Sequence, residues 1–68
     1  MHLSLENYVH ETIRVRGKAQ THRYLDQEVK RVLSLIDLSI GKSDWDVAYV
    51  HITSLDWWLS LKEIADRR

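Results

Sequence analysis

The 68-residue chain contains no cysteine, no proline and no phenylalanine. Without cysteine no disulfide can form, no thiolate metal site exists, and cysteine usage says nothing about the redox compartment. Without proline no position forces a helix to break. Only Gly17 and Gly41 punctuate the chain. Long apolar runs are also missing. The longest, Val47-Ala48-Tyr49-Val50, falls far short of the ~20 residues of a membrane span. The opening Met1-His2-Leu3-Ser4-Leu5-Glu6 has neither the basic start nor the apolar stretch of a secretion signal. A soluble, cytoplasmic protein with no membrane partner is expected. Neither sign of charge is in excess, with ten Lys and Arg against ten Asp and Glu, whereas a dedicated nucleic-acid binder usually carries a surplus of positive charge.

What is present is apolar. The composition is 44% hydrophobic with three tryptophans, which is not the signature of disorder. A chain this short buries only about 60% of the surface its unfolded form exposes. A core of that size rarely supplies more than about 3–5 kcal/mol, so a partner is a common remedy.

The glycines divide the chain into three segments, and the spacing predicts an all-α single domain with helices over about 4–16, 20–40 and 43–67. In the first, Leu5, Tyr8, Val9, Thr12 and Ile13 follow the i, i+3, i+4, i+7, i+8 pattern of one helical face. Arg14 and Arg16 suit its C-terminal turn, and Gly17 suits a left-handed stop. The alternation from Thr12 to Arg16 also allows a short hairpin running into Gln20–Tyr24. In the second, Leu25, Val29, Val32, Ile36 and Ile40, with Leu33 beside them, form a coiled-coil-like stripe. Thr21 is its candidate N-cap and Gly41 its stop. The third opens with Ser43-Asp44-Trp45-Asp46, a capping-box pattern. The short Gly41–Ser43 link predicts an antiparallel hairpin of helices two and three.

Helix three is apolar on two sides. Trp45, Ala48, Tyr49, Ile52, Leu55 and Leu59 group on one, and Val47, Val50, Trp57, Trp58, Leu61, Ile64 and Ala65 on the other. Asp44, His51 and Lys62 mark one dividing strip, and Asp46, Thr53 and Ser60 the other. A surface helix of a monomer needs only one stripe. The first group is expected to face helix two. The second exceeds what a three-turn helix one can cover, so Val50, Trp57, Trp58, Leu61 and Ile64 are expected to contact another chain. A homodimer forming a helical bundle is the simplest arrangement, and helix one is the competing cover.

Chemistry is sparse. His2, His10, His22 and His51 contain no i, i+3 or i+4 pair, so no metal or cofactor is expected. Glu6/His10 and His22/Asp26 read as surface pairs. Gly41-Lys42-Ser43 resembles the end of a phosphate loop, but Ile36 occupies the position of the required first glycine. No nucleophile–base set is visible, and no enzyme activity or small-molecule substrate is expected. Charge is unevenly placed. Thr12–Leu25 contains no acid but holds Arg14, Arg16, Lys18 and Arg23, while Asp37–Asp56 sets four aspartates against Lys42. A basic pole results, to which Lys62, Arg67 and Arg68 return in a hairpin. The expected function is a non-enzymatic protein–protein interaction module: an adaptor, inhibitor or regulator of the kind common among phage and plasmid proteins, by analogy of build alone. The alternative is a nucleic-acid-binding regulator that uses the basic pole at residues 14–23.

Overall fold

A computed structural model describes residues 4–68. Residues 1–3 of the opening stretch considered as a signal, His2 among them, lie outside the described part. Three helices follow in order, α1 (Leu5–Arg16), α2 (Lys18–Gly41) and α3 (Trp45–Asp66), with no strand among the described residues. The chain is all-α.

Helix α1 begins where the Ser4 hydroxyl accepts from the Asn7 N–H at 3.4 Å, the usual N-cap bond. It ends at Gly17, whose φ of 86° and ψ of 158° lie in a region essentially closed to other residues. One glycine therefore joins two helices at a sharp angle. The hairpin alternative over residues 12–24 is overturned, because both flanks of Gly17 are helical. Packing of Val9 and Ile13 at helical spacing outweighs the local alternation, and Val15 is left 72% exposed.

Because Gly17 makes the break, α2 starts at the next residue. Thr21 is then a buried helical residue, not an N-cap, and its Oγ1 donates to the Gly17 carbonyl at 2.8 Å. At the other end Gly41 is still helical. The left-handed residue is Ser43, with φ 57°. The Asp44 N–H donates to the Ser39 carbonyl at 2.8 Å and the Ser43 N–H to Ile40 at 2.9 Å, the two bonds of a Schellman closure. This conformation prevents Ser43 from capping α3. Asp44 holds that position with no side-chain cap hydrogen bond, so the capping box is not formed.

Three contacts set the hairpin antiparallel: Lys62 Nζ to Asp26 Oδ1 at 2.8 Å, His22 Nδ1 to Asp66 Oδ1 at 3.3 Å, and Lys18 Nζ donating to the Arg68 carbonyl at 2.8 Å. The α2–α3 seam is lined by small residues near its ends, with Ser39 and Ala48 at the turn and Thr21 and Ala65 at the open end, all buried. Ser39 Oγ, like Thr21, is satisfied by a backbone carbonyl four residues back. Helix α1 lies over the open half and forms the main core, in which Val9, Leu25, Leu61 and Ala65 are buried and Leu5, Tyr8, Ile13, Tyr24, Trp58 and Ile64 pack around them.

At 1.5 Å per residue α1 is about 18 Å long and each hairpin helix about 33–36 Å, so α1 covers roughly half of one side. The radius of gyration, 13.5 Å, exceeds the ~11 Å of a compact body of this length. The turn end of the hairpin projects beyond the cover.

Candidate interaction surface

Helix α1 defines two sides of the hairpin. Tyr8 of α1 meets Trp57 with ring centroids 5.6 Å apart, Trp57 meets Trp58 at 4.8 Å, and Trp58 meets Tyr24 at 5.8 Å. The Arg16 guanidinium closes this series 4.3 Å above the Tyr24 ring, a favourable cation–π distance. Burial beside the Tyr8 hydroxyl raises the Tyr24 phenol above its ordinary pKa of 10.0, desolvation being the larger cause. Residues two apart on a helix point about 160° apart. Asp26 and Leu59 therefore face away from Tyr24 and Trp57, on the side opposite α1.

That opposite side carries an ordered strip. The ion pairs His22–Asp66 and Asp26–Lys62 fix the register at the open end. Carrying each helix forward by whole heptads on the same face places Val29 opposite Leu59, Leu33 opposite Leu55, Ile36 opposite Ile52, and Ile40 opposite Ala48. Two charged rungs thus give way to four apolar ones, and Trp45 continues the α3 side at the turn. Leu33, Ile40, Ile52 and Leu59 are 48%, 44%, 49% and 46% exposed, and Trp45 is 64% exposed. Ile36 and Ala48 are buried beneath them, while Val29 and Leu55 are half-buried. Beside the strip, Ile52, Thr53, Leu55, Asp56 and Leu59 line an open groove of about 340 Å³.

This placement corrects the sequence reading. Trp45, Tyr49, Ile52 and Leu59 were expected against α2, yet all are exposed, and only Ala48 of that group is buried. Ile40 is likewise open, its place in the seam taken by Ser39. Conversely Leu61, expected to reach another chain, has no exposed surface. Trp58 and Ile64 are half-buried in the α1 core, and Trp57 stacks on Tyr8 while 40% exposed. Among the five expected contact residues only Val50, at 62%, stands fully open. Helix one, the competing cover, takes the C-terminal half of that face. The usable signal was present in the sequence. Asp26, Leu33 and Ile40, like Lys62, Leu55 and Ala48, are spaced by sevens and mark one continuous face. His51, placed on a polar strip by the wheel, is half-buried.

The basic pole is less free than its sequence suggests. Arg14 pairs with Glu11 at 2.8 Å, Arg16 lies over Tyr24, and Lys18 binds the Arg68 carbonyl. Arg23 alone of the four makes no side-chain hydrogen bond, ion pair or cation–π contact among the described residues. The Lys62 ammonium beside Asp26 holds that carboxyl below its ordinary 3.8. Asp26 Oδ1 has no other partner, and the contact is an ion pair without good hydrogen-bond direction. Glu6 and His10 form no ion pair among the described residues, and His22 pairs with Asp66, not Asp26. Among the described residues no group of three or more His, Asp or Glu side chains could hold a metal ion. No helix among them is long and apolar enough to cross a membrane. No known protein family, no curated protein and no solved structure matches the chain.

Proposed function

We propose that this chain is a small non-enzymatic interaction module that acts by stoichiometric binding, as a homodimer, in the manner of an adaptor, inhibitor or regulator. The supporting observation is the apolar strip opposite α1. Exposed Leu33, Ile40, Ile52, Leu59 and Trp45 form one surface on two helices locked in register. Contiguous apolar patches of this kind on soluble proteins mark interaction sites. The contact surface proposed is therefore this strip, and not the Trp57, Trp58, Leu61 and Ile64 set that α1 covers or Val50, which lies one heptad before Trp57 on that same side.

Light scattering over a wide concentration range tests the reading. The unmodified chain should run at twice the 8.1 kDa of one copy, and Ile52→Ser with Leu59→Ser should return it to one copy while helicity is kept. A clean single copy at millimolar concentration in the unmodified chain overturns the dimer. The alternative, nucleic-acid binding through Arg14, Arg16, Lys18 and Arg23, has weaker support because three of those cations are engaged within the chain. It calls for duplex binding with a steep salt slope that Arg16→Glu and Lys18→Glu abolish without changing the mass.

A further inference from the structure

The homodimer reading leaves open how two copies meet, and charge placed along the strip decides it. Outside the apolar rungs of α2, Arg23, Lys30 and Asp37 recur every seven residues, and outside those of α3, Tyr49, Asp56 and Glu63 do the same. All six are exposed. None makes a side-chain hydrogen bond or ion pair within its own chain among the described residues, although Glu11, Glu28, Asp26 and Asp66 all do. Rim positions beside a helical seam are where interhelical charge pairs select partner and orientation.

We infer that a second copy docks strip to strip with its turn at the same end, the two-fold axis running parallel to the helices. It rests on the homodimer reading above and adds its geometry. In this arrangement α2 of each copy lies on α3 of the other, and Leu33 sits at the level of Leu55 of the second copy. The rims then register within about two residues, about 3 Å of rise. Arg23 meets Glu63 of the second copy, Lys30 meets its Asp56, and the Asp37 carboxylate meets the hydroxyl of its Tyr49. Symmetry repeats each contact. The reverse stacking, with turns at opposite ends, lays α3 on α3. With Asp56 set against Asp56, Glu63 faces Tyr49 and Lys30 lies within about one turn of Lys30, so like charges oppose at the middle of both edges. The strip is about 33 Å long and two helices, about 20 Å, wide. The resulting ~660 Å² per copy is close to the ~800 Å² per partner of a standard complex. The α1 helices remain on the two outer faces of a four-helix core.

The absence of native cysteine makes single-cysteine cross-linking direct. Copies carrying Leu33→Cys, mixed with copies carrying Leu55→Cys, should form a disulfide-linked pair, and Leu33→Cys alone should not link to itself, being diagonal across the bundle. Lys30→Glu should weaken self-association about tenfold at low salt, and adding Asp56→Lys should restore it to within about threefold. Linkage of Leu33→Cys to itself, or of Val29→Cys to Ile40→Cys, without a Leu33–Leu55 product overturns the arrangement and leaves the homodimer standing. A failure of the charge swap to restore what Lys30→Glu removes also overturns the arrangement. An unmodified chain that stays single at every concentration overturns both.

Discussion

Leu61 and Leu59 are two residues apart on α3 and have opposite fates, which makes them a sharp test of the architecture. Leu61 has no exposed surface and packs with Val9, Leu25 and Ala65. Truncating it to alanine removes three carbons. At ~0.8 kcal/mol per buried methylene the transfer loss alone is about 2.4 kcal/mol. The cavity left among α1, α2 and α3 brings the expected cost into the ~2.7–5 kcal/mol range of buried Leu→Ala changes. That equals the whole ~3–5 kcal/mol a core of this size supplies. Leu61→Ala should therefore be largely unfolded at 25 °C, with helical circular dichroism lost and urea unfolding shifted toward zero denaturant. Leu59, 46% exposed, should behave differently. Leu59→Ala should keep the helical signal and lose less than about 1 kcal/mol at protein concentrations too low for association. It should raise the concentration needed for the doubled mass. Dilute samples matter, because a partner that binds only the folded chain adds stability by mass action. The reasoning fails if Leu61→Ala melts like the unmodified chain and only its mass changes. Leu61 would then face another copy, and α1 would not be its cover.

Five further outcomes follow from the backbone, the Asp26–Lys62 ion pair and the Tyr24 phenol. Ser43→Gly should stabilise by about 1 kcal/mol, because φ 57° strains a non-glycine residue. Gly41→Ala, a helical glycine with open space around its missing Cβ, should add roughly 0.5–1 kcal/mol, both read from urea midpoints. Gly17→Ala should cost about 1–3 kcal/mol, since φ 86° with ψ 158° is closed to alanine; an unchanged midpoint would mean that the joint is not built this way. The Asp26 carboxyl is held below its ordinary 3.8 by Lys62. Its contribution is present above that value and fades as the pH falls through and below it, so Lys62→Met should flatten that limb of a pH–stability curve. Tyr24 is raised above 10.0. Its contribution is therefore complete below pH 10 and lost as the pH climbs through the raised value, and Tyr24→Phe should remove this alkaline loss.

Helix count, the hairpin and the position of each break were legible because they depend on local signals. Apolar spacing in α2 and the two glycines act within a few residues of one another. The conformations at the breaks were not legible. Gly41 sits two residues before the left-handed position, and Ser43 occupies it because the Schellman bonds to Ser39 and Ile40 close there. The facing of α3 was misread for a different reason. With Trp, Tyr, Ile, Leu and Val on nearly every side of the helix, no single direction stands out on a wheel. The side of α3 toward α2 carries Ala48, half-buried His51, Leu55 and Lys62, and Ala65, which mixes small and charged residues with large ones. A rule that puts the largest apolar residues inward therefore chose the wrong flank.

The same feature that defeats the wheel accounts for the exposed strip. Small residues, Ser39 and Ala48, Thr21 and Ala65, occupy both ends of the seam. Between those ends Leu25, Val32 and Ile36 of α2 and Leu61 of α3 are the large side chains that are buried. Leu33, Ile40, Ile52 and Leu59 are displaced to one flank and Trp57, Trp58 and Ile64 to the other. Helix α1, joined through a single glycine, can reach only one flank, and over only about half the hairpin length. A three-turn helix on a six-turn hairpin thus leaves the other flank apolar along its whole turn-side half. That flank carries a rim of six charged and tyrosyl groups arranged by sevens, without side-chain partners among the described residues, and a flank of that pattern can complement itself. We propose that a second copy supplies the layer that the chain is too short to supply; the Trp57–Trp58 pair packs with Tyr8 and Tyr24 on the α1 side.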